Sequence, residues 1–147
     1  MIDKSPLENI LDAWDNDAQI EPSEPGEAML NIPKLHAKYS RILSKCSLLS
    51  RKYDQDIIAL RKVKSDYFNG RLTQAELDER GWKPFKFVLK SDVREYIDAD
   101  SEIMALVRKK VNQDEMVALC TSILKELGAR TWQLTSYIKW QQIMLGK

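Results

Sequence analysis

The 147-residue sequence predicts a mainly α-helical chain with a small β element, an α+β fold built on one long heptad-patterned helix or helical hairpin. Three observations carry this expectation. Apolar residues recur at heptad spacing from about Pro33 to Asn69. Stretches near both termini show the i, i+3, i+4 spacing of amphipathic helices. Between them, "WKPFKFVLKSDVREYIDAD" is aromatic and β-branched and alternates like strands.

The N-terminus reads as a capped helix. Ser5 is the cap, Pro6 sits in the first turn, and Glu8 completes a capping box. Leu7, Ile10, Leu11 and Trp14 then form one apolar stripe. Such a short helix is marginal alone, so it is expected to dock on its own chain or on a partner. "IEPSEPGEAML" carries two prolines and a glycine and reads as a linker. Residues 1–30 are therefore expected to form an acidic arm, and 31–147 a helical core with the oligomerisation region.

In the long helix, Tyr39, Cys46, Tyr53, Leu60 and Tyr67 interleave with Leu35, Ile42, Leu49, Asp56 and Val63. This is an a/d seam, broken at Asp56, that must pack along another helix. Asn69-Gly70 is a helix stop. Lys38, Lys45 and Lys52 each precede an a residue. The e positions that would pair with them hold His36, Leu43, Ser50, Ile57 and Lys64, with no acid among them. Arg51, Arg61 and Lys62 lie elsewhere around the helix.

Beyond Gly70, Thr73 and Glu76 suggest another capping box, and Gly81 a stop. Residues 84–98 are expected to form a β-hairpin. Trp82, Phe85 and Phe87 are either core residues or platforms for stacking bases. A helix over Asp100–Leu127, interrupted near "VNQDE", should close at Gly128. The last segment carries Trp132, Leu134, Ile138, Trp140, Ile143 and Met144, more apolar surface than a terminal helix hides on itself. A subunit interface is expected there.

Net charge is +1, but it is unevenly spread. Residues 1–27 hold eight acids against Lys4, and residues 28–65 hold nine Lys/Arg against Asp54 and Asp56. A basic surface of this kind suits a polyanion, with solvated lysines as the alternative. There is no apolar run long enough for a membrane span and no signal-peptide pattern. Cys46 and Cys120 form no CxxC pair, which suits a reducing cytosol. With His36 the one histidine and no phosphate-binding glycine motif, an enzyme is not expected, nor is a cofactor or metal site.

Four stretches resemble the UvsY-type recombination mediators of T4-like tailed phages: "PLENILDAW", "KVKSDYFNGR", "FVLKSD" and "GARTWQLTSYIKW". The acidic linker is longer than the family's, and residues 35–60 agree loosely. The resemblance implies a protein of the infected bacterial cytoplasm that binds single-stranded DNA. It would load a RecA-like phage recombinase onto strands coated by the phage single-strand-binding protein. It also implies a ring-shaped homo-oligomer, hexamer or heptamer, assembled through the C-terminal region. Lys62 and Lys64 match the family's paired basic residues implicated in DNA binding, and Tyr67 and Arg71 share that motif. Arg61, Lys52, Lys45 and Lys38 are added on their charge and their places along the basic helix. A helical adaptor or phage scaffold without DNA binding explains the heptads and the apolar C-terminus equally well, but leaves those lysines without a role.

Overall fold

Ser5 is extended, and its hydroxyl accepts the Glu8 N–H at 3.2 Å while the Glu8 carboxylate accepts the Ser5 N–H at 3.3 Å. This reciprocal cap starts α1 (Pro6–Asp17) as the sequence suggests. The structure, a computed structural model, describes residues 3–85 and 88–146. Its remaining helices are α2 (Pro25–Phe68), α3 (Gln74–Arg80), α4 (Val93–Asp98) and α5 (Ser101–Met144).

Three expectations need correction. α2 begins at Pro25, inside the stretch read as linker, and runs through Pro33. Proline is well placed in a first turn, where its missing N–H has no helical acceptor anyway. Pro33 does remove one helical bond, but buried Leu35 and Tyr39 anchor the turns just beyond it.

The β-hairpin is absent: no strand occurs among the described residues, and Val93–Asp98 is helical. Lys86 and Phe87 of the expected first strand lie outside the described residues. A strand would put Glu95 on the same face as Val93 and Ile97. One helical turn instead buries the two apolar side chains and leaves Glu95 exposed.

Nor does α5 break at residues 111–115 or end at Gly128. Gln113, read as part of an interruption, is buried and donates from Nε2 to the Cys46 carbonyl at 3.2 Å. A helical glycine costs about 1 kcal/mol. Fully buried Leu127 and nearly buried Arg130 on either side of Gly128 offset that.

The chain folds as two compact units, one of residues 1–48 with 112–147 and one of residues 49–111. In the first, Ile10 of α1 joins Leu35, Tyr39 and Cys46 of α2 against Met116, Cys120, Ile123 and Leu127 of α5. The heptad seam thus finds its partner helix within the same chain. Trp14 meets Tyr39 edge-on at 5.6 Å between ring centroids. In the second unit, Phe68 of α2 packs with Val93 and Ile97 of α4 and with Ile103 of α5.

Candidate nucleic-acid interface

α2 ends in a Schellman motif. Gly70 has φ +70°, its N–H donates to the Tyr67 carbonyl at 3.1 Å, and the Arg71 N–H reaches the Asp66 carbonyl at 2.8 Å. The turn fixes where Arg71 leaves the helix. Asp66 is shared between two cations, Lys62 at 3.0 Å and Arg71 at 3.9 Å. The Lys62 side chain is 72% exposed. Such i, i+4 surface pairs contribute only about 0.3–0.5 kcal/mol, so a phosphate can replace Asp66 at little cost.

Lys64, two residues on, has a different setting. It is 4% exposed, and its Nζ lies 3.0 Å from Asp100, 3.6 Å from Glu102 and 3.9 Å from the Trp82 ring centroid. The second Asp100 oxygen accepts the Glu102 and Ile103 N–H groups at 3.0 and 3.1 Å and caps α5. Lys64 therefore ties the end of α2 to the start of α5.

Tyr67 donates its hydroxyl to the Lys83 carbonyl at 2.6 Å, and its ring lies 5.0 Å from Trp82 and 5.5 Å from Phe85. Trp82 and Phe85, weighed as stacking platforms, are packed in this cluster; Phe87 is outside the described residues. Arg61 pairs with Asp98 at 2.8 Å, while Lys52 is exposed with no ion pair among the described residues.

Sequence reasoning missed two basic residues of this unit. Lys90 and Arg94 line a cleft of about 370 Å³ together with Arg71, Ser65 and Asn69. Their signal was hidden because they lie in the stretch read as a hairpin, about twenty residues from Arg71 along the chain.

In the first unit the acidic arm already occupies a predicted basic residue. Asp17 accepts Lys38 Nζ at 2.6 Å and the Tyr39 hydroxyl at 2.7 Å. Burial pushes the Asp17 carboxyl up, but these hydrogen bonds, with the charges of Lys38 and Arg130, outweigh it and hold the carboxyl below its ordinary range. Arg130 donates to the Ala18 carbonyl at 3.2 Å and lies over the Trp14 ring, clamping the end of α1.

Lys45 is exposed and has no ion pair among the described residues. Cys46 and Cys120 are both buried free thiols. Burial, reinforced by the neighbouring Cys46, pushes the Cys120 thiol up to about 11, which keeps it unreactive.

Of the expected interface residues, Trp132, Trp140, Ile143 and Met144 are exposed at 72, 56, 73 and 66%. Leu134 is buried within the chain, and Ile138 is half-buried. No helix among the described residues is long and apolar enough to cross a membrane.

Two solved structures share this fold. Both are crystal forms of the bacteriophage T4 recombination mediator protein UvsY. The first matches with a TM-score of 0.83 and 15% identity over 97% of this chain and 99% of that one. The second has a TM-score of 0.82 and 14% identity over 95% and 99%. At such identity the likeness is one of fold. No curated protein sequence matches this chain significantly. The profile of the family described as "Recombination, repair and ssDNA binding protein UvsY" does match, over residues 13–147, and the chain belongs to that family.

Proposed function

We propose that the chain binds single-stranded DNA through the basic surface where α2 ends, and acts as a recombination mediator. In this reading it helps a RecA-like recombinase onto strands coated by single-strand-binding protein. The observation that carries it is the exposed Lys62–Arg71 pair held weakly on one shared carboxylate, inside the motif that resembles the family's DNA-binding segment. No catalytic step is invoked. The chain acts as a homo-oligomer, and the exposed apolar side chains of Trp132, Trp140, Ile143 and Met144 support assembly through the end of α5. Weak phosphate contacts, one cluster per subunit, would then add up by multivalency.

The test is fluorescence anisotropy of a labelled oligothymidylate at two salt concentrations, with sedimentation of the same samples. Binding that weakens steeply with salt, by an assembled species, is expected. An assembled protein with no affinity for the oligonucleotide would overturn the DNA reading and favour a helical adaptor.

A further inference from the structure

Four cations of the second unit are paired with acids inside it. Arg61 has Asp98, Lys62 has Asp66, Lys64 has Asp100, and Lys110 has Asp54, at 2.8 to 3.7 Å. The cleft beside α4 is lined differently. No acid lines it, Lys90 and Arg94 have no ion pair among the described residues, and Arg71 reaches Asp66 only at 3.9 Å.

Three separate segments bring these cations together. Arg71 comes from the Schellman turn, Lys90 from the turn closed by the Asp92 N–H on the Leu89 carbonyl at 2.9 Å, and Arg94 from α4. Asn69 donates to the Ser65 carbonyl at 2.8 Å, which stiffens the opposite wall. Val93 and Ile97 supply apolar lining. Arg71, Lys90 and Arg94 around one cleft, with only Asp66 at 3.9 Å from Arg71 as a paired acid, repel one another, and an anion between them relieves this. At about 370 Å³ the cleft exceeds what one phosphate needs and falls in the range of nucleotide-sized sites.

We propose that Arg71, Lys90 and Arg94 form a phosphodiester-binding cleft that holds one backbone segment of a single strand, with its sugar against Val93 and Ile97. Arginine forks suit phosphate oxygens, and Lys90 adds a mobile charge. The proposal rests on the DNA-binding reading and places a contact where the paired-lysine motif has none. It adds two candidate contacts per subunit, Lys90 and Arg94, to the Lys62–Arg71 pair.

The experiment uses the full chain and labelled oligothymidylate across a salt series. Lys90→Ala with Arg94→Ala should lower the slope of log K against log salt by about 1.4, which is roughly 0.7 per contact. At 0.1 M salt that corresponds to about a 25-fold loss of affinity. Lys90→Arg with Arg94→Lys should keep the slope. Both side chains are exposed, so circular dichroism and assembly size should match the wild type.

Thymidine monophosphate and inorganic phosphate serve as competitors. Competition only at millimolar levels supports a site for the strand. Competition by the mononucleotide as strong as by the oligonucleotide would overturn it in favour of a free-nucleotide site. Wild-type protein that fails to bind the strand sinks the DNA reading itself. Wild-type binding with an unchanged slope in the double alanine variant overturns the cleft alone.

Discussion

The two units use charge in opposite ways, although α2 and α5 contribute residues to both. The first unit turns its chemistry-bearing side chains inward: Tyr39, Cys120 and Arg130 are nearly or wholly buried, and Asp17 of the arm neutralises Lys38. The second holds fourteen Lys/Arg against eleven Asp/Glu and leaves three of its cations around one cleft without an acid among the lining residues. What a lysine can do therefore depends on its acid neighbour and its burial more than on its heptad position. Lys38, Lys62 and Lys64 all sit on α2, yet they are respectively tied to the arm, exposed and buried.

The comparison breaks most severely if the first unit's core is opened. Leu127 is fully buried, so Leu127→Ala should cost about 3 kcal/mol in a urea titration. A loss below half that would mean the α1–α2–α5 packing contributes little. Lys64→Ala should follow, destabilising by up to about 3 kcal/mol because Asp100 is left without its cation in a largely buried site. Wild-type stability for this variant would show that Lys64 is free for other work.

Asp17→Ala comes next. It strands the buried Tyr39 hydroxyl and should cost about 2 kcal/mol. The contact also predicts a pH dependence. The folded carboxyl is held below its ordinary value of about 3.9, so its contribution is complete above that pH and disappears as pH falls through the folded value. Urea midpoints of wild type and Asp17→Ala should differ at pH 6 and draw together as pH falls below the ordinary aspartate value of about 3.9. A constant difference would rule out the carboxylate as the cause. The smallest effect is at Gly70: Ala there must take φ +70°, costing about 1 kcal/mol and shifting Arg71.

Local signals in the sequence translated well into structure. The Ser5–Glu8 box forms in full. At Thr73 the hydroxyl accepts the Glu76 N–H at 3.2 Å, and Gly70 and Gly81 both take the left-handed conformation that ends α2 and α3. The seam residues Leu35, Tyr39 and Cys46 are buried as their spacing implied.

What failed was non-local. Position e lies beside the a/d seam, yet Lys64 at e is buried, because the aromatic cluster and the cap of α5 cover that side of it. α4 was misread because Val93 and Ile97 satisfy a strand as well as a helical turn, and only the exposure of Glu95 decides between them. The cleft was illegible for the same reason, since Arg71 and Arg94 meet only once α4 is helical and packed. Likewise, the arm's charge was visible, but its target was not: Asp17 meets Lys38 and Tyr39 across a connector. An arm truncation therefore removes Ile10 and Trp14 from a core as well as acids from a surface.

The central claim is that acid partners decide which cations of α2 reach the strand. Lys62 is mostly exposed and holds Asp66 through a weak surface pair, whereas Lys38 is held by a carboxylate only 16% exposed that Tyr39 also binds. The most direct measurement is the salt dependence of oligothymidylate binding for Lys62→Ala beside Lys38→Ala, at pH 7 and matched assembly size. A slope flatter by about 0.7 is expected for Lys62→Ala and a wild-type slope for Lys38→Ala. Equal flattening by both, or flattening by Lys38→Ala alone, would contradict it.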